Sequence, residues 1–219
     1  NMGNIEVLYQ LRGLTDYMVG ATTEILGDGF PYSTVITRIG NCTNKSQLED
    51  ILDYCIDAYY SEFSIYTGAA ISLFDLRKVE DLYLHFFTLL NHSPKLAELQ
   101  AMMGEDQFYE TLYWQRDFQQ FGRRNVDSEY LFYDFEQFVN YLDPENKYGA
   151  SQVIDDADEV CPIMYYTEYF LNIQLKECSG ITISFPQSLL NLCYSKSSRY
   201  ISGYRETDWG AEMLRVLNY

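Results

Sequence analysis

The chain has 219 residues, of which 47% are hydrophobic and 21% are charged. This composition is typical of a folded globular protein and excludes a disordered chain, and no apolar run reaches the roughly 18 residues of a membrane span. The net charge of −17, from 15 basic and 32 acidic residues, argues against nucleic acid or an anionic membrane as a partner. The same acidity suits a cationic ligand, although its commoner effect is solubility.

The first part of the chain predicts a helix, a strand and a loop. Apolar residues recur at helical spacing from Met2 to Tyr9, which predicts a helix over 2–13. The run 16–21 is apolar enough to be a strand buried on both faces, as in a parallel sheet. The loop 22–32 follows this strand. Because ligands of open α/β sheets bind at the carboxyl ends of strands, this loop is the most informative one in the sequence.

The middle of the chain predicts helices around a second strand. The helices are expected over 33–40, over 46–60 and over 77–103 with a break near Pro94, and the strand over 68–76. Ser46 and Glu49 have the spacing of a capping box for the second of these helices. The stretch 104–128 favours no assignment. An amphipathic helix is expected over 128–142, with one apolar face formed by Leu131, Phe135, Phe138 and Leu142.

The last third predicts a loop, two strands and a closing helix. The segments are a polar surface loop over 143–159, neighbouring antiparallel strands over 162–175 and 180–186, and a helix over 207–219 capped by Thr207 or Asp208. Early alternation of strands and helices followed by a late hairpin predicts one α/β domain. Its sheet is expected to be mixed and mostly parallel, with helices on both faces.

Residues that often carry chemistry are few and scattered. The cysteines are Cys42, Cys55, Cys161, Cys178 and Cys193. They have no spacing typical of zinc ligands, so most are interpreted as buried free thiols, with one or two disulfides as the alternative. His85 lies in an apolar helical run and is expected to be a packed core or interface residue. His92 is expected at a helix end or in a loop, and neither histidine lies beside a candidate nucleophile.

No common cofactor or metal motif is present. The sequence has no GxSxG elbow and no Walker loop, and Tyr32 stands where a dinucleotide fingerprint needs its third glycine. The acidic run 155–160 lacks the ligand spacing and the glycine of an EF-hand. A solvated loop is therefore favoured there over a weak calcium site, and no cofactor is implied.

The loop 22–32 carries two acidic residues in a setting that admits a ligand. Glu24 and Asp28 are its acids, and Gly27 and Gly29 on either side of Asp28 allow close backbone approach. The alternative is an ordinary turn in which the Asp28 side chain bonds its own backbone. Taken alone, the loop favours the turn.

Four segments in order resemble the clostripain family of cysteine endopeptidases. They read MGNIEVLYQLR, DYMVGATTEILGDGFPY, SGITISFP and TDWGAEML. The match is strong over 1–39, weaker but ordered over about 160–219, and poor between them. The resemblance implies a caspase-like α/β/α sandwich. It makes 1–219 the larger, C-terminal part of a single peptidase domain that is incomplete without an N-terminal companion segment.

The resemblance places the catalytic pair outside this chain. In the family the first segment follows Asp-Ala-Cys, so the nucleophile reads Cys-x-Met and would immediately precede Asn1. The catalytic His lies further upstream, and no catalytic residue is expected within 1–219. A helix that starts directly after the nucleophile would point its unpaired N–H groups at the sulfur and lower the pKa of the thiol.

The resemblance also implies cleavage after Arg or Lys. Asp28 is then the acid expected at the base of the primary specificity pocket, with Glu24 second. Thr22, Thr23 and Gly27 belong to the wall of that pocket. A carboxylate in a partly dry pocket pairs with Arg through two hydrogen bonds, or with Lys as a point charge.

The implied partners are a companion chain and a substrate. The companion, separated by proteolytic processing, carries the catalytic His and Cys, and the substrate is a peptide or protein with Arg or Lys. The resemblance to bacterial peptidases implies a secreted, periplasmic or cell-surface location. One alternative is a non-catalytic secreted or cell-surface binding protein that keeps the fold. A third, a glycan-binding module, rests only on the aromatic content of 16%.

Overall fold

The computed structural model describes most of the chain as helices around short strands. The described residues are 3–23, 32–41, 43–63, 68–102, 119–123, 130–170, 173–184 and 206–218. The helices are α1 (Ile5–Leu11), α2 (Tyr32–Gly40), α3 (Lys45–Phe63), α4 (Val79–His92), α5 (Leu96–Met102), α6 (Phe135–Leu142), α7 (Ala150–Val160) and α8 (Asp208–Val216). A 3-10 turn spans Leu76–Lys78. None of these helices combines the length and the apolar character that a membrane span requires.

The described strands form two three-stranded sheets and a hairpin. They are β1 (Tyr17–Gly20), β2 (Ala70–Asp75), β3 (Gln120–Arg123), β4 (Tyr130–Asp134), β5 (Ile163–Tyr166), β6 (Tyr169–Phe170), β7 (Ile173–Gln174) and β8 (Thr182–Ser184). The sheets have the orders β1-β2-β5 and β3-β4-β8, and β6 pairs with β7. Each of these strand pairs is antiparallel. The expected mostly parallel sheet is therefore not confirmed in the described residues.

Residues 3–4 lie between the two sheets. The Gly3 N–H donates to the Ala21 carbonyl just beyond β1 at 3.1 Å, and the Gly3 carbonyl accepts from the Thr182 N–H in β8 at 2.8 Å. An isolated parallel bridge pairs Asn4 with Thr182. The backbone at the start of the described chain thus links the end of β1 to β8.

The largest core cluster packs α1, α4, α6, α7 and α8 together and includes Trp209. This side chain is fully buried, and its ring stacks on Phe86 of α4 at a centroid distance of 5.4 Å. Trp209, Met213 and Val216 recur at helical spacing and turn one face of α8 towards α4 and α1. Burying one such side chain contributes about 1.5–3 kcal/mol. A smaller cluster packs Ile56 and Tyr59 of α3 on β1 and β2.

Several predicted elements are confirmed with small changes at their ends. They are the strands over 16–21 and 68–76, the helices over 33–40 and 77–103 with the break near Pro94, and the closing helix with Thr207 as its cap. In α3 the predicted cap is wrong, because Ser46 lies within the helix. Asn44 is the cap and accepts the Gln47 N–H at 3.0 Å.

The segment 128–142, predicted as one helix, contains a strand followed by a shorter helix. β4 occupies its first part, and α6 begins only at Phe135. Asp134 has extended backbone angles and caps α6 by accepting the Gln137 N–H at 3.2 Å. The helical spacing therefore holds only from Phe135 onward, through Phe138 and Leu142, which are buried.

Two predictions in the last third are wrong. The expected loop over 143–159 contains α7, whose buried stripe is formed by Ala150, Val153, Ala157 and Val160. Small residues at half of these positions make the stripe weak in the sequence. The segment 162–175 divides into β5, β6 and β7, and β5 pairs with β2 whereas β8 pairs with β4. Which strands become neighbours depends on pairing between distant segments, and the local sequence pattern does not encode that pairing.

Candidate functional site

The candidate site surrounds Gly3, where the start of the described chain meets the residues after β1 and before β8. We define it as Gly3–Asn4, Ala21–Thr23 and the loop 176–180. A Cβ atom at Gly3 would lie 3.0 Å from the Gly180 carbonyl oxygen, 3.1 Å from Thr22 Cγ2 and 3.2 Å from Phe74 Cζ. These distances are shorter than ordinary van der Waals contacts, so a larger residue at Gly3 would require its neighbours to shift.

The structure places two of the five predicted pocket residues. Thr22 and Thr23 are both buried, with 1% and 7% of their surface exposed. Thr22 Oγ1 lies 3.6 Å from Cys178 Sγ. Thr23 Oγ1 is a buried hydroxyl without a hydrogen-bond partner in the described part of the chain. Glu24, Gly27 and Asp28 lie outside the described residues, so their predicted roles stay predictions.

The N-terminus of α1 is capped by the protein itself. The predicted start of this helix directly after the nucleophile is wrong, because α1 begins at Ile5 and Asn4 has extended backbone angles. Asn4 Oδ1 accepts the Glu6 N–H at 3.0 Å, and the Asn4 carbonyl accepts the N–H groups of Val7 and Leu8. These groups are therefore occupied and do not point freely towards a thiol.

A buried polar network joins α1 to β8 and was missed from the sequence. Asn4 Nδ2 donates to Ser184 Oγ at 3.3 Å, and Ser184 Oγ donates to Glu6 Oε2 at 2.6 Å. All three residues are at most 9% exposed. Such a network keeps buried polar groups satisfied and fixes their geometry. In the sequence Asn4 lies inside the predicted helix over 2–13, and its partner Ser184 is 180 positions away.

The loop 176–180 approaches Gly3 and is held from the opposite side by Asp134. Ser179 donates to Asp134 Oδ2 through its backbone N–H at 2.7 Å and through its hydroxyl at 2.9 Å. Gly180 has φ +80, and a Cβ there would lie 2.5 Å from Cys161 Sγ. The predicted turn in this segment therefore requires glycine, although it does not join neighbouring strands.

Burial sets the protonation of the titratable groups near this loop. It raises the pKa of Asp134 to about 6, although the hydrogen bonds from Ser179 and Gln137 act in the opposite direction. Burial also raises the pKa of the Cys161 and Cys178 thiols to about 12. Neither thiol is therefore a thiolate nucleophile at neutral pH.

The cysteines and histidines follow the sequence expectation only in part. Cys55, Cys161 and Cys178 are free thiols, as predicted, whereas Cys42 and Cys193 lie outside the described residues. His92 ends α4, as predicted.

Of the two roles predicted for His85, a packed core or an interface residue, the core role is wrong, and the interface role stays a prediction. Its side chain is 49% exposed, and its Nδ1 lies 2.6 Å from Asp156 Oδ2. This contact joins α4 to α7 at the surface and involves no residue of the candidate site.

The acidic run 155–160 belongs to α7 and not to a loop. Within the described ranges no group of three or more His, Cys, Asp or Glu residues is arranged to hold a metal ion.

Comparisons with known proteins agree on one family. The sequence model described as the clostripain family matches residues 1–215. An inactive zymogen C11 protease from Parabacteroides distasonis has a TM-score of 0.70 and 20% identity, covering 96% of this chain and 55% of that chain. A clostripain from Bacteroides thetaiotaomicron, in complex with the peptide inhibitor BTN-VLTK-AOMK, has a TM-score of 0.67 and 22% identity, covering 96% and 82%.

A secreted C11 cysteine protease from Bacteroides thetaiotaomicron is also similar, with a TM-score of 0.64 and 24% identity, covering 96% of this chain and 52% of that chain. The chain thus spans about half the length of the first and third of these proteins. No curated protein sequence matches it. The structural similarities confirm the predicted caspase-like α/β fold class.

Proposed function

Because this chain belongs to the clostripain family, we propose that it is the larger, C-terminal part of the catalytic domain of a cysteine endopeptidase. In this proposal 1–219 is part of a single peptidase domain, and a companion segment upstream of Asn1 supplies the catalytic Cys and His. The Cys thiolate attacks the scissile carbonyl to form an acyl-enzyme. The His delivers a proton to the leaving amine, and water then releases the acyl group.

The contact between Gly3 and Ala21 is the observation that carries the proposal. The nucleophile expected directly before Asn1 can lie at most about 11 Å along the chain from Gly3, since an extended residue spans about 3.3–3.6 Å. Gly3 hydrogen-bonds Ala21, and Thr22 follows at once as the first residue of the predicted pocket wall. This short chain distance supports a pocket loop near the expected nucleophile.

We propose cleavage after Arg or Lys. Asp28 binds the cationic side chain at the base of the pocket, and Glu24 is the second acid. Thr22, Thr23 and Gly27 form part of the wall. The net charge of −17 supports a cationic substrate by steering it towards the protein. The peptide letters VLTK in the inhibitor of the Bacteroides thetaiotaomicron clostripain end in lysine, which supports the same preference.

The location and the maturation of the protein are part of the proposal. One structural neighbour is a secreted protease and another is a zymogen, which supports a secreted or periplasmic protein matured by proteolytic processing. The competing function is a non-catalytic secreted or cell-surface binding protein that keeps the fold. Sequencing the codons before Asn1 separates the two, because the binding protein would lack the Cys.

Peptide hydrolysis by the complete protein tests the specificity. Matched peptides with Arg, Lys or Gln before the scissile bond are compared for kcat/KM, and we expect hydrolysis only after Arg and Lys. Replacing Asp28 with Asn should lower kcat/KM for the Arg peptide by about thirtyfold or more, since it leaves a buried cation unpaired. Asp155→Asn on the exposed face of α7 is the control. Equal cleavage of the Gln peptide, or an unaffected Asp28 variant, contradicts the pocket.

A further inference from the structure

Asp134 connects α6 to the loop 176–180 through both carboxylate oxygens. Its Oδ1 accepts the Gln137 N–H at 3.2 Å as the cap of α6. Its Oδ2 accepts the backbone N–H of Ser179 at 2.7 Å and the Ser179 hydroxyl at 2.9 Å. The residue is only 1% exposed, so water does not compete for these hydrogen bonds.

The segment that Asp134 holds is the one that meets Gly3. The Ile181 carbonyl accepts the Phe135 N–H at 3.1 Å, and Asp134 pairs with Thr182 in the β4–β8 register. Thr182 in turn donates its N–H to the Gly3 carbonyl. Residues 179–182 are thus fixed on one side by Asp134 and its neighbour, and on the other side they contact Gly3.

Capping alone does not account for a buried carboxylate here. Neutral Ser, Thr or Asn side chains cap helices as well as Asp, whereas burying an unpaired charge is costly. The raised pKa of Asp134 reflects that cost. An Asn at this position has only one acceptor oxygen for the two backbone N–H groups of Gln137 and Ser179. The feature that Asp adds is therefore the second acceptor oxygen, which binds Ser179 in the loop 176–180 of the candidate site.

We propose that Asp134 is a positioning residue of the candidate site, which holds Ser179 and thereby fixes the backbone of 180–182 against Gly3. The role in peptide hydrolysis rests on the proposed function, because Gly3 follows the expected nucleophile. Asp134 does not touch the substrate. It sets the place of the backbone from which the nucleophile extends.

Hydrogen exchange tests the positioning without any reference to peptidase activity. Asp134→Asn is measured in the complete protein, because Asn keeps a good helix cap. We expect the amides of 179–182 and of Gly3 to exchange about tenfold faster or more than in the wild type, with α4 unchanged. Asp143→Asn is the matched control: Asp143 is equally buried and accepts backbone N–H groups, but those groups belong to 147–150. Its variant should loosen 147–150 and leave Gly3 unchanged.

Kinetics then separate positioning from simple loss of structure. We expect Asp134→Asn to lower kcat about fivefold or more for a lysyl peptide with KM within about twofold, since the pocket remains while the reacting geometry is lost. Ser179→Ala should lower kcat less than Asp134→Asn does. Ser179→Thr, which keeps the hydroxyl, should have the kcat of the wild type. Asp143→Asn should change neither constant.

These measurements distinguish failure of the positioning role from failure of the proposed function. Unchanged exchange at 179–182 in Asp134→Asn overturns the positioning role, and so does faster exchange with an unchanged kcat in an active enzyme. If the wild type cleaves no lysyl or arginyl peptide, the proposed function fails. The exchange measurement still decides whether Asp134 fixes Gly3.

Discussion

Two loops in this protein are built in the same way but lie in different surroundings. Each has a buried aspartate that accepts backbone N–H groups, Asp134 for the loop 176–180 and Asp143 for the turn 144–149. Each also has one glycine with positive φ, Gly180 at +80 and Gly149 at +102. The first loop is part of the candidate site, whereas the second leads into α7.

The surroundings give the two aspartates opposite electrostatics. Burial raises the pKa of Asp134 to about 6, because desolvation exceeds the effect of its hydrogen bonds. Burial also disfavours the charge on Asp143, but hydrogen bonds from Tyr148, Lys147, Ala150 and Gly149 outweigh it and lower the pKa. The first carboxylate is therefore held at a cost to stability, and the second contributes to stability.

Gly180 gives the largest expected effect. Gly180→Ala places a Cβ 2.5 Å from Cys161 Sγ and 3.0 Å from Ser72 Oγ, at a backbone angle that alanine rarely adopts. We expect the free energy of unfolding to fall by about 4 kcal/mol, from overpacking together with backbone strain. Urea denaturation measures it. A loss below about 1 kcal/mol would show that the loop does not pack as described.

Removing the Asp143 side chain comes next. Asp143→Ala leaves the N–H groups of Lys147, Tyr148 and Ala150 without their acceptor. We expect a loss of about 3 kcal/mol by urea denaturation, because three backbone hydrogen bonds to a charged acceptor are lost, one of them buried. Lys147→Ala is the control, since its backbone N–H is retained and its exposed side chain makes only a surface ion pair with Glu145. An unaffected Asp143→Ala protein would contradict the network.

The pH dependence of stability distinguishes the two aspartates by sign. The folded pKa of Asp134 is raised, so its contribution is fully present below about pH 4 and is lost as the pH rises through about 6. We expect this contribution to the free energy of unfolding to change by about 2–3 kcal/mol. It is measured as the difference in unfolding free energy between the wild type and Asp134→Asn across this pH range. Burial and then the charge of Asp134 raise the pKa of Glu136, so Glu136 acts in the same direction and is part of the measured difference.

Asp143 should behave in the opposite way. Its folded pKa is lowered, so its stabilisation is present above the unfolded pKa and is lost as the pH falls through the folded value. The wild type minus Asp143→Asn difference should therefore shrink on acidification. If both differences had the same sign, the contrast between the two loops would be wrong.

The smallest effect is expected at Gly149. A Cβ there meets no atom within 4 Å, so Gly149→Ala has only the strain of a positive φ to overcome. We expect a loss of about 1 kcal/mol by urea denaturation. A loss as large as that of Gly180→Ala would show that backbone angle, and not packing against the site, dominates at both glycines.

Local patterns determined much of this protein from the sequence alone. Sequence patterns predicted the helices over 33–40 and 77–103, the strand over 68–76 and a cap at Thr207 or Asp208, because each depends on residues within a few positions of each other. The ordered segments that resemble the clostripain family also fixed the fold class, since a family signature is carried by the order of residues along one chain.

Tertiary structure decided what lies between distant segments. The sequence marked Thr22 and Thr23 but not Asp134, Ser179 or Ser184, because a buried acceptor is recognisable only once its donors are brought to it. Desolvation raised the pKa of Asp134, whereas backbone hydrogen bonds outweighed desolvation at Asp143 and lowered its pKa. The two aspartates lie at opposite ends of the same helix, α6. Strand pairing likewise joined β8 to β4 and Gly3 to both sheets. Long-range backbone hydrogen bonds leave no periodic trace in the sequence, so only the folded chain shows them.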